Sequence, residues 1–251
     1  MVITVIEEQK VLEIRHLNKS YGDDAVLKDV SLAIHQGEVV VVIGPSGCGK
    51  STLLRCINGL EPIQAGDILL DNQVITGGKH QWSQIRQKIG MVFQNYDLFP
   101  HMTVLDNVLL GPTKVAGRNK QEACDAAKKL LERVGLLDKI NSYPRQLSGG
   151  QKQRVAIVRA LMMEPEMILF DEITAALDPE MVREVLDVVL ELAKGGMTMI
   201  IVTHEMQFAR AIADRIIFID NGEIVETGNP EEFFTEPKTQ RARKFLNIFH
   251  Y

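Results

Sequence analysis

Cysteine, net positive charge and long apolar runs are all scarce in this 251-residue sequence. The three cysteines, Cys48, Cys56 and Cys124, form neither a paired framework nor a cluster with metal-ligand spacing. A disulfide-stapled secreted domain is therefore excluded, and the thiols fit a reducing compartment.

The formal net charge of -5 lacks the basic excess typical of nucleic-acid-binding domains, so we expect no nucleic-acid partner. No apolar run approaches the ~18 residues that a membrane-spanning helix needs. The N-terminal stretch MVITVIEEQK has neither a cationic start nor a sustained apolar segment. We therefore expect a soluble, cytoplasmic chain, in which 45% hydrophobic residues suffice for one large domain or for a core with a smaller lobe.

Four short apolar runs each stop at a polar residue and predict buried strands. They are VVVVI before Gly44, IGMVF before Gln94, MILF before Asp171, and MIIV before Thr203 and His204. Helical spacing covers 51–60 and 120–134, and a third helix starts near Asp178. Strands that alternate with helices indicate an α/β fold with a mostly parallel sheet flanked by helices. Because ligands bind at the carboxyl ends of such strands, we expect these polar residues to share one site.

The octet GPSGCGKS follows the first predicted strand and fits the phosphate-loop spacing G-x-x-x-x-G-K-[ST] through Gly44, Gly49, Lys50 and Ser51. The glycines let backbone N–H groups converge on phosphate oxygens, Lys50 supplies charge, and the Ser51 hydroxyl can bind Mg²⁺. The alternative is a plain glycine-rich turn. The predicted nucleotide-contacting residues are Gly44, Pro45, Ser46, Gly47, Cys48, Gly49, Lys50, Ser51 and Thr52.

Cys48 lies inside this loop, at a helix start where a thiolate is favoured. We therefore expect ATP to slow the alkylation of Cys48.

The segment MILFDE ends its predicted strand with two adjacent carboxylates. Asp171 can hold Mg²⁺ through water, and Glu172 can polarise an attacking water. The alternative is an acidic strand-to-loop corner without chemistry. Together with the phosphate loop, the pair favours nucleotide hydrolysis.

The stretch LSGGQKQR, residues 147–154, resembles the signature of ATP-binding cassette (ABC) proteins. Ser148 and the paired glycines open a helix, which predicts a second helix terminus aimed at phosphate. The resemblance implies a head-to-tail dimer of two copies, or of two related cassettes, in which each ATP lies between one phosphate loop and the partner's signature. The signature residues expected to contact ATP are Ser148, Gly149, Gly150 and Gln151.

Four further residues resemble ABC motifs, and three of them also have a structural alternative. Tyr21 is similar to the aromatic residue that stacks on adenine, or else belongs to a turn. Gln94 resembles the residue that senses Mg²⁺ and reports to the transport partner, or else is a polar strand end. His204 resembles the switch histidine that contacts the γ-phosphate. Asp178 resembles the loop residue that crosses to the opposite subunit, with helix capping as its structural role.

Two residues depart from the family pattern. The family usually has Pro and Ser where this chain has Ile173 and Ala175, so the segment lacks a rigid turn and a hydroxyl. The departures therefore bear on communication across the dimer more than on hydrolysis. We expect ATPase chemistry to survive because Asp171, Glu172 and Asp178 all remain.

The resemblance implies a fold and a division of the chain. The fold is a phosphate-loop NTPase core with a mostly parallel sheet, an N-terminal antiparallel β portion and an inserted helical subdomain. We expect one nucleotide-binding domain over 1–251, with an ATP-binding core at 1–94 and 159–236. Residues 95–158 form the predicted helical signature subdomain, and 237–251 a C-terminal helix.

Three segments are similar to bacterial importers of polar amino acids of the glutamine, histidine and arginine type: YDLFPHMTVLDNV, VTHEM and GNPEEFFTEPKTQRARKFL. This likeness implies an Mg²⁺-dependent ATPase subunit, peripheral at the cytoplasmic face of the membrane. Its partners would be transmembrane permease subunits and, indirectly, a periplasmic or extracellular solute-binding protein.

Other functions remain open at this point. An ABC exporter or lipid-extracting ATPase would carry the same cassette, and a non-transport ABC ATPase would act on DNA or ribosomes. A nucleotide kinase explains the phosphate loop but leaves LSGGQ unexplained, and a module that only senses ATP leaves Glu172 unexplained.

Overall fold

The computed structural model describes residues 9–76 and 82–248. In chain order the described strands are β1 (Lys10–Tyr21), β2 (Asp24–His35), β3 (Val39–Ile43), β4 (Ala65–Leu70), β5 (Gln73–Val74), β6 (Ile89–Val92), β7 (Met167–Asp171), β8 (Thr198–Val202), β9 (Arg215–Asp220) and β10 (Glu223–Gly228). The described α-helices are α1 (Lys50–Ile57), α2 (Trp82–Lys88), α3 (Val104–Lys114), α4 (Lys120–Arg133), α5 (Gly149–Leu161), α6 (Pro179–Lys194), α7 (Met206–Ile212), α8 (Pro230–Thr235) and α9 (Gln240–Leu246).

The larger sheet has the strand order β10-β9-β3-β8-β7-β6. Neighbouring strands in the series β9-β3-β8-β7-β6 pair in parallel, and β10 pairs antiparallel with β9. Every residue of β3, β7 and β8 is buried, as expected for apolar strands covered on both faces. All four predicted strands are confirmed, although β6 ends at Val92 and leaves Phe93 outside it.

Alternate residues of β3 face two different cores because side chains alternate across a strand. Val40 and Val42 join β1, β2 and α1 in a first hydrophobic cluster, whereas Val39 and Val41 join α6 and α7 in a second. The first cluster lies between the large sheet and a separate antiparallel sheet with the order β2-β1-β4-β5. The predicted antiparallel portion is therefore confirmed.

Helices α3, α4 and α5 pack around a third hydrophobic cluster. Each begins at a capped residue: Thr103 and Ser148 form capping boxes, and the Asn119 side chain accepts from two backbone N–H groups. Helix α5 contributes to two clusters at once, since Val155 and Val158 face the third cluster while Ala156 and Ile157 face the second.

Predicted helix starts agree with the structure better than predicted ends. Helix α1 was expected to reach position 60, but it stops at Ile57 because Gly59 takes a left-handed conformation with φ of 63°. Helix α4 ends at Arg133, and Gly135 follows with φ of 68°. Among residues 9–76 and 82–248, no helix has both the length and the apolar character that crossing a membrane requires.

Candidate active site

The phosphate loop connects the carboxyl end of β3 to the start of α1. Two of its glycines are required by close packing as well as by backbone conformation. A Cβ atom on Gly44 would lie 2.0 Å from the Ile219 carbonyl oxygen, and one on Gly49 would lie 2.7 Å from Leu27 Cδ2. Both have positive φ, 153° and 104°. The loop backbone can therefore approach β9 and β2 this closely only with glycine at these positions.

Helix α1 starts at Lys50, and no side chain caps its N-terminus. Uncapped N–H groups and the positive end of the helix dipole favour an anion at this point. The buried Lys50 ammonium donates to the carbonyl oxygens of Gly44 at 3.0 Å and Pro45 at 2.9 Å. It also lies 3.9 Å from Glu172 Oε1. The arrangement concentrates positive charge where phosphate oxygens would enter.

Ser51 and Asp171 come together at the carboxyl end of β7. The Ser51 hydroxyl donates to Asp171 Oδ1 at 2.6 Å. Asp171 is only 4% exposed, and burial raises its pKa although the Ser51 hydrogen bond opposes this. A hydroxyl and a carboxylate beside a phosphate loop are the hard oxygen ligands that Mg²⁺ prefers, so this donor set fits that ion.

Glu172 follows directly, in a left-handed backbone conformation with φ of 47°. Its backbone N–H donates to the Val202 carbonyl at 3.0 Å, which fixes it against β8. Glu172 Oε1 lies 3.0 Å from His204 Nε2, and this hydrogen bond is the main cause that lowers the pKa of Glu172. The carboxylate is therefore ionised at neutral pH and able to accept a proton.

Tyr21 lies at the end of β1 with 45% of its surface exposed. The Lys19 ammonium lies 4.4 Å from the ring centroid and is held by the Pro62 carbonyl at 2.8 Å. Partial burial and the interaction with Glu61 raise the pKa of Tyr21, and an interaction with Thr52 opposes this. Because Thr52 belongs to α1, this interaction places the Tyr21 hydroxyl beside the phosphate-loop helix.

The signature residues lie at the start of α5, and their hydrogen bonds are local. The Ser148 hydroxyl accepts from the Gln151 backbone N–H at 3.2 Å, and Gln151 Oε1 accepts from the Ser148 N–H at 3.0 Å. Gly150 N–H donates to Met181 Sδ at 3.4 Å. In the described part of the chain, no hydrogen bond joins this signature to the phosphate loop.

Gln94 and Asp178 are both exposed and lie outside the cluster of Lys50, Asp171 and His204. Gln94 occupies a turn after β6. Asp178 precedes α6, but its side chain makes no capping hydrogen bond, so the capping role is wrong for this side chain. Sequence reasoning placed both residues at the site, and the structure shows both exposed to solvent.

A family model for the ABC transporter matches residues 27–175. The chain belongs to the ABC transporter family. The fold and the ABC-type ATPase predicted from the sequence are thereby confirmed.

Several curated relatives align over most of this ABC chain. The glutamine transport ATP-binding protein GlnQ of Geobacillus stearothermophilus is 58% identical over 92% of this chain and 96% of its own length. The arginine transport ATP-binding protein ArtM of Bacillus subtilis is 56% identical over 94% and 98%. The glutamate/aspartate import ATP-binding protein GltL of Escherichia coli is 53% identical over 96% and 100%.

Solved ABC structures share the fold. CbiO1 from Clostridium perfringens, part of an ABC transporter complex, superposes with a TM-score of 0.81 at 33% identity and covers 96% of each chain. A dimeric ATP-binding cassette in a post-hydrolysis state with ADP and Pi superposes with a TM-score of 0.79 at 35% identity, over 87% of this chain and 98% of that one.

Burial contradicts the expectation that the helix start favours a thiolate at Cys48, whereas slower alkylation of Cys48 with ATP stays a prediction. Cys48 is buried, and burial raises the pKa of its thiol although the Lys50 ammonium opposes this. The helix start favours a thiolate only where the sulfur stays accessible. The loss of solvation on burial therefore raises the pKa of Cys48 more than the nearby positive charge at the start of α1 lowers it.

Sequence reasoning missed Gln153 and Arg159, two polar residues of α5 that contact the backbone after β6. A signal was present for Gln153, which lies three and four residues before the buried Ala156 and Ile157 and so on their helix face. A polar residue on a buried helix face requires a hydrogen-bond partner, and here that partner, the Phe93 carbonyl, is 60 residues away in the sequence.

Proposed function

We propose that this chain is the ATP-hydrolysing subunit that powers import of a small polar solute, an amino acid, through a separate membrane permease. One observation supports the chemistry: the ionised Glu172 carboxylate lies between Lys50 and His204, next to the Ser51–Asp171 pair. The solute class rests on the relatives, whose names specify glutamine, arginine and glutamate/aspartate.

ATP binding is assigned to the phosphate loop and Tyr21. Backbone N–H groups of the loop and Lys50 hold the phosphates, and the exposed Tyr21 ring stacks on the adenine. Ser51, Asp171 and Gln94 would hold Mg²⁺, which when bound neutralises charge on the phosphates. The adjacency of the Ser51 hydroxyl and Asp171 supports this assignment for two of the three residues.

Hydrolysis is assigned to Glu172 and His204. The Glu172 carboxylate accepts a proton from the water that attacks the γ-phosphate, and its lowered pKa keeps it in the ionised form that this step requires. His204 orients the carboxylate through the 3.0 Å hydrogen bond and contacts the γ-phosphate.

The signature residues Ser148–Gln151 and Asp178 act on the ATP of a second cassette, either another copy or a related chain. Two features support a head-to-tail dimer. The signature's hydrogen bonds are local, and one structural relative is dimeric. We propose the division into a core at 1–94 and 159–236, a helical part at 95–158 and a C-terminal part at 237–251. The described helix of that last part is Gln240–Leu246, and 249–251 lie outside the described residues. The separate cluster of α3, α4 and α5 supports the helical part.

Closure of this dimer on two ATP molecules would drive a permease from inward to outward facing, and hydrolysis at Glu172 would reopen it. The chain would then lie peripherally at the cytoplasmic face of the membrane, with a solute-binding protein acting on the permease from outside. The permease and the solute-binding protein, not this chain, would then make the contacts that select the solute.

Affinity capture tests the transport assignment. Tagged Glu172→Gln chain with ATP and Mg²⁺ is captured from detergent-solubilised membranes, and Lys50→Ala serves as the matched control that cannot close on phosphate. We expect a polytopic permease to be enriched with Glu172→Gln and depleted with Lys50→Ala. Recovery of ribosomal or DNA-associated partners, or of no membrane protein, contradicts the transport assignment while leaving the ATPase chemistry intact.

A further inference from the structure

The segment 93–97, which contains Gln94, is held by side chains of helix α5. Gln153 Nε2 donates to the Phe93 carbonyl at 3.2 Å. Arg159 donates through one guanidinium nitrogen to the Asp97 carbonyl at 2.5 Å and through the other to the Tyr96 carbonyl at 3.2 Å. Gln94 is thus flanked on both sides by backbone carbonyls that α5 fixes.

The conformation of this segment needs such support. Tyr96 and Asp97 are consecutive non-glycine residues in the left-handed region, with φ of 62° and 48°. Each such residue costs free energy unless its surroundings enforce the conformation. The Asp97 N–H donates back to the Asn95 carbonyl at 2.6 Å, so the tight turn directs both following carbonyls toward Arg159.

Stability alone does not explain a glutamine at position 153. Its side chain is completely buried, and its Oε1 has no hydrogen-bond partner within residues 9–76 and 82–248. A buried acceptor without a partner is destabilising, so this amide is explained by the hydrogen bond that its Nε2 donates to the Phe93 carbonyl. That bond fixes the position of the segment that contains Gln94.

The same helix begins with the signature. A Cβ on Gly149 would lie 3.0 Å from the Tyr96 hydroxyl and 2.9 Å from Leu177 Cδ2. The Tyr96 hydroxyl in turn lies 3.5 Å from the Ala176 carbonyl. Segment 93–97, the signature and the loop before α6 thus meet at one point, and α5 connects them.

We propose that Gln153 and Arg159 are positioning residues that set the location of Gln94 and couple it to the signature end of α5. The proposal rests on the role of Gln94 in the proposed function. A shift of α5 moves the Phe93, Tyr96 and Asp97 carbonyls with it, so that Gln94 and the signature move together.

The first test is Gln153→Leu, alone and in a Gln94→Ala background. We expect at most a small change in Tm, because loss of the unpaired Oε1 offsets loss of the donor to the Phe93 carbonyl, together with a fall in steady-state ATP turnover of roughly tenfold. In the Gln94→Ala background the same substitution should change turnover by less than about twofold, since its effect passes through Gln94. Hydrogen exchange of backbone amides at 94–97, followed without nucleotide, should be faster in Gln153→Leu than in the unmodified chain.

The second test compares Arg159→Lys with Arg118→Lys, a change outside the signature. Arg118 donates to the Met162 carbonyl, just after α5, and to Glu164, not to segment 93–97. A lysine cannot reach two carbonyls with a planar fork, so we expect Arg159→Lys to lower turnover and speed exchange at 94–97 while Arg118→Lys changes neither.

The outcomes separate this proposal from the one on which it rests. If Gln94→Ala alone leaves turnover unchanged, the role of Gln94 is wrong and this inference is overturned with it. If Gln94→Ala lowers turnover but Gln153→Leu costs the same factor in both backgrounds, Gln94 keeps its role and the positioning proposal is overturned. Equal effects of Arg159→Lys and Arg118→Lys also overturn it.

Discussion

Glu172 combines a strained backbone with a lowered pKa. Its left-handed φ of 47° is uncommon for a residue with a side chain, and such strain persists where surrounding contacts enforce it. Here the contacts are the hydrogen bond from its N–H to Val202 and the one between its carboxylate and His204. The conformation aims a carboxylate at the phosphate loop.

Replacing Glu172 with Gln should lower steady-state ATP turnover by about 10²-fold or more, because the amide cannot accept the proton from the attacking water. The measurement is phosphate release by the purified chain with Mg²⁺ and ATP. Glu191→Gln, an exposed change on α6, is the matched control and should retain turnover. Equal rates for the two variants would exclude Glu172 as the general base.

Replacing His204 with Ala should shift the pH dependence of the residual turnover. The hydrogen bond from His204 is the largest cause of the lowered pKa of Glu172, so its loss raises that pKa. A higher pKa requires a higher pH for ionisation, and the acid limb of the pH–rate profile should move upward. An acid limb at the same pH in both proteins contradicts this assignment.

At the scale of elements, the loop between β7 and α6 retains its turn without the proline typical of the family. The Ala175 N–H donates to the Glu172 carbonyl at 3.1 Å, which closes the turn through the backbone. Ile173 is 4% exposed and packs in the second hydrophobic cluster. Its side chain anchors the loop to the core.

Ile173→Ala should therefore lower the free energy of unfolding by about 2–4 kcal/mol, as for other buried large-to-small changes. Thermal or denaturant unfolding measures this loss, and Ala175→Ser is the exposed control with an effect near zero. Ile173→Pro should also destabilise, because the ring fills less of the cluster. A steep rise of activity in Ile173→Pro with Ala175→Ser would show instead that the two departures impair the enzyme.

The C-terminal helix α9 is fastened to β10 by Glu226. This buried carboxylate accepts from the Lys238 and Thr239 backbone N–H groups at 2.7 and 2.8 Å, and from the Thr239 hydroxyl at 2.6 Å. Burial raises the pKa of Glu226, but these hydrogen bonds outweigh burial and leave the pKa lowered.

Glu226→Gln should lower the free energy of unfolding by about 1–3 kcal/mol at neutral pH, since charge-assisted hydrogen bonds are lost. The lowered folded-state pKa means that the stabilisation is complete above the unfolded-state value of about 4.3 and is lost as the pH falls through the folded-state value. Denaturant unfolding of both proteins as a function of pH should show a gap that closes in acid. A gap independent of pH contradicts the ionic role.

At the scale of the whole molecule, the two segments that we propose to bind ATP are not joined by hydrogen bonds within the described part of one chain. The phosphate loop lies at the carboxyl end of β3, whereas the signature opens α5 and makes its hydrogen bonds locally. In the head-to-tail dimer that we propose, a second cassette would supply the missing part.

Glu172→Gln with ATP and Mg²⁺ should therefore form a dimer that is absent without nucleotide. Analytical ultracentrifugation measures the mass directly. Lys50→Ala combined with Glu172→Gln is the control and should remain monomeric, because the phosphates lose their buried cation. A mass that does not change on adding ATP to Glu172→Gln would contradict the sandwich dimer.

The sequence by itself determined the parts of the molecule that depend on local chemistry. Continuous apolar runs predicted β3, β6, β7 and β8, the octet around Lys50 predicted the phosphate loop, and the run LSGGQ predicted the capped start of α5. Each of these depends on backbone conformation, burial or hydrogen bonding within a few consecutive residues, so the local sequence is sufficient to predict it.

Only the tertiary structure decided what depends on neighbours distant in the chain. It brought Ser51 to Asp171 and His204 to Glu172, raised the pKa of Cys48 through burial, and connected α5 to the segment after β6 through Gln153. The physical reason is that burial and the identity of a hydrogen-bond partner are set by strand order and helix packing, and the same side chain has a different pKa and a different role in each environment.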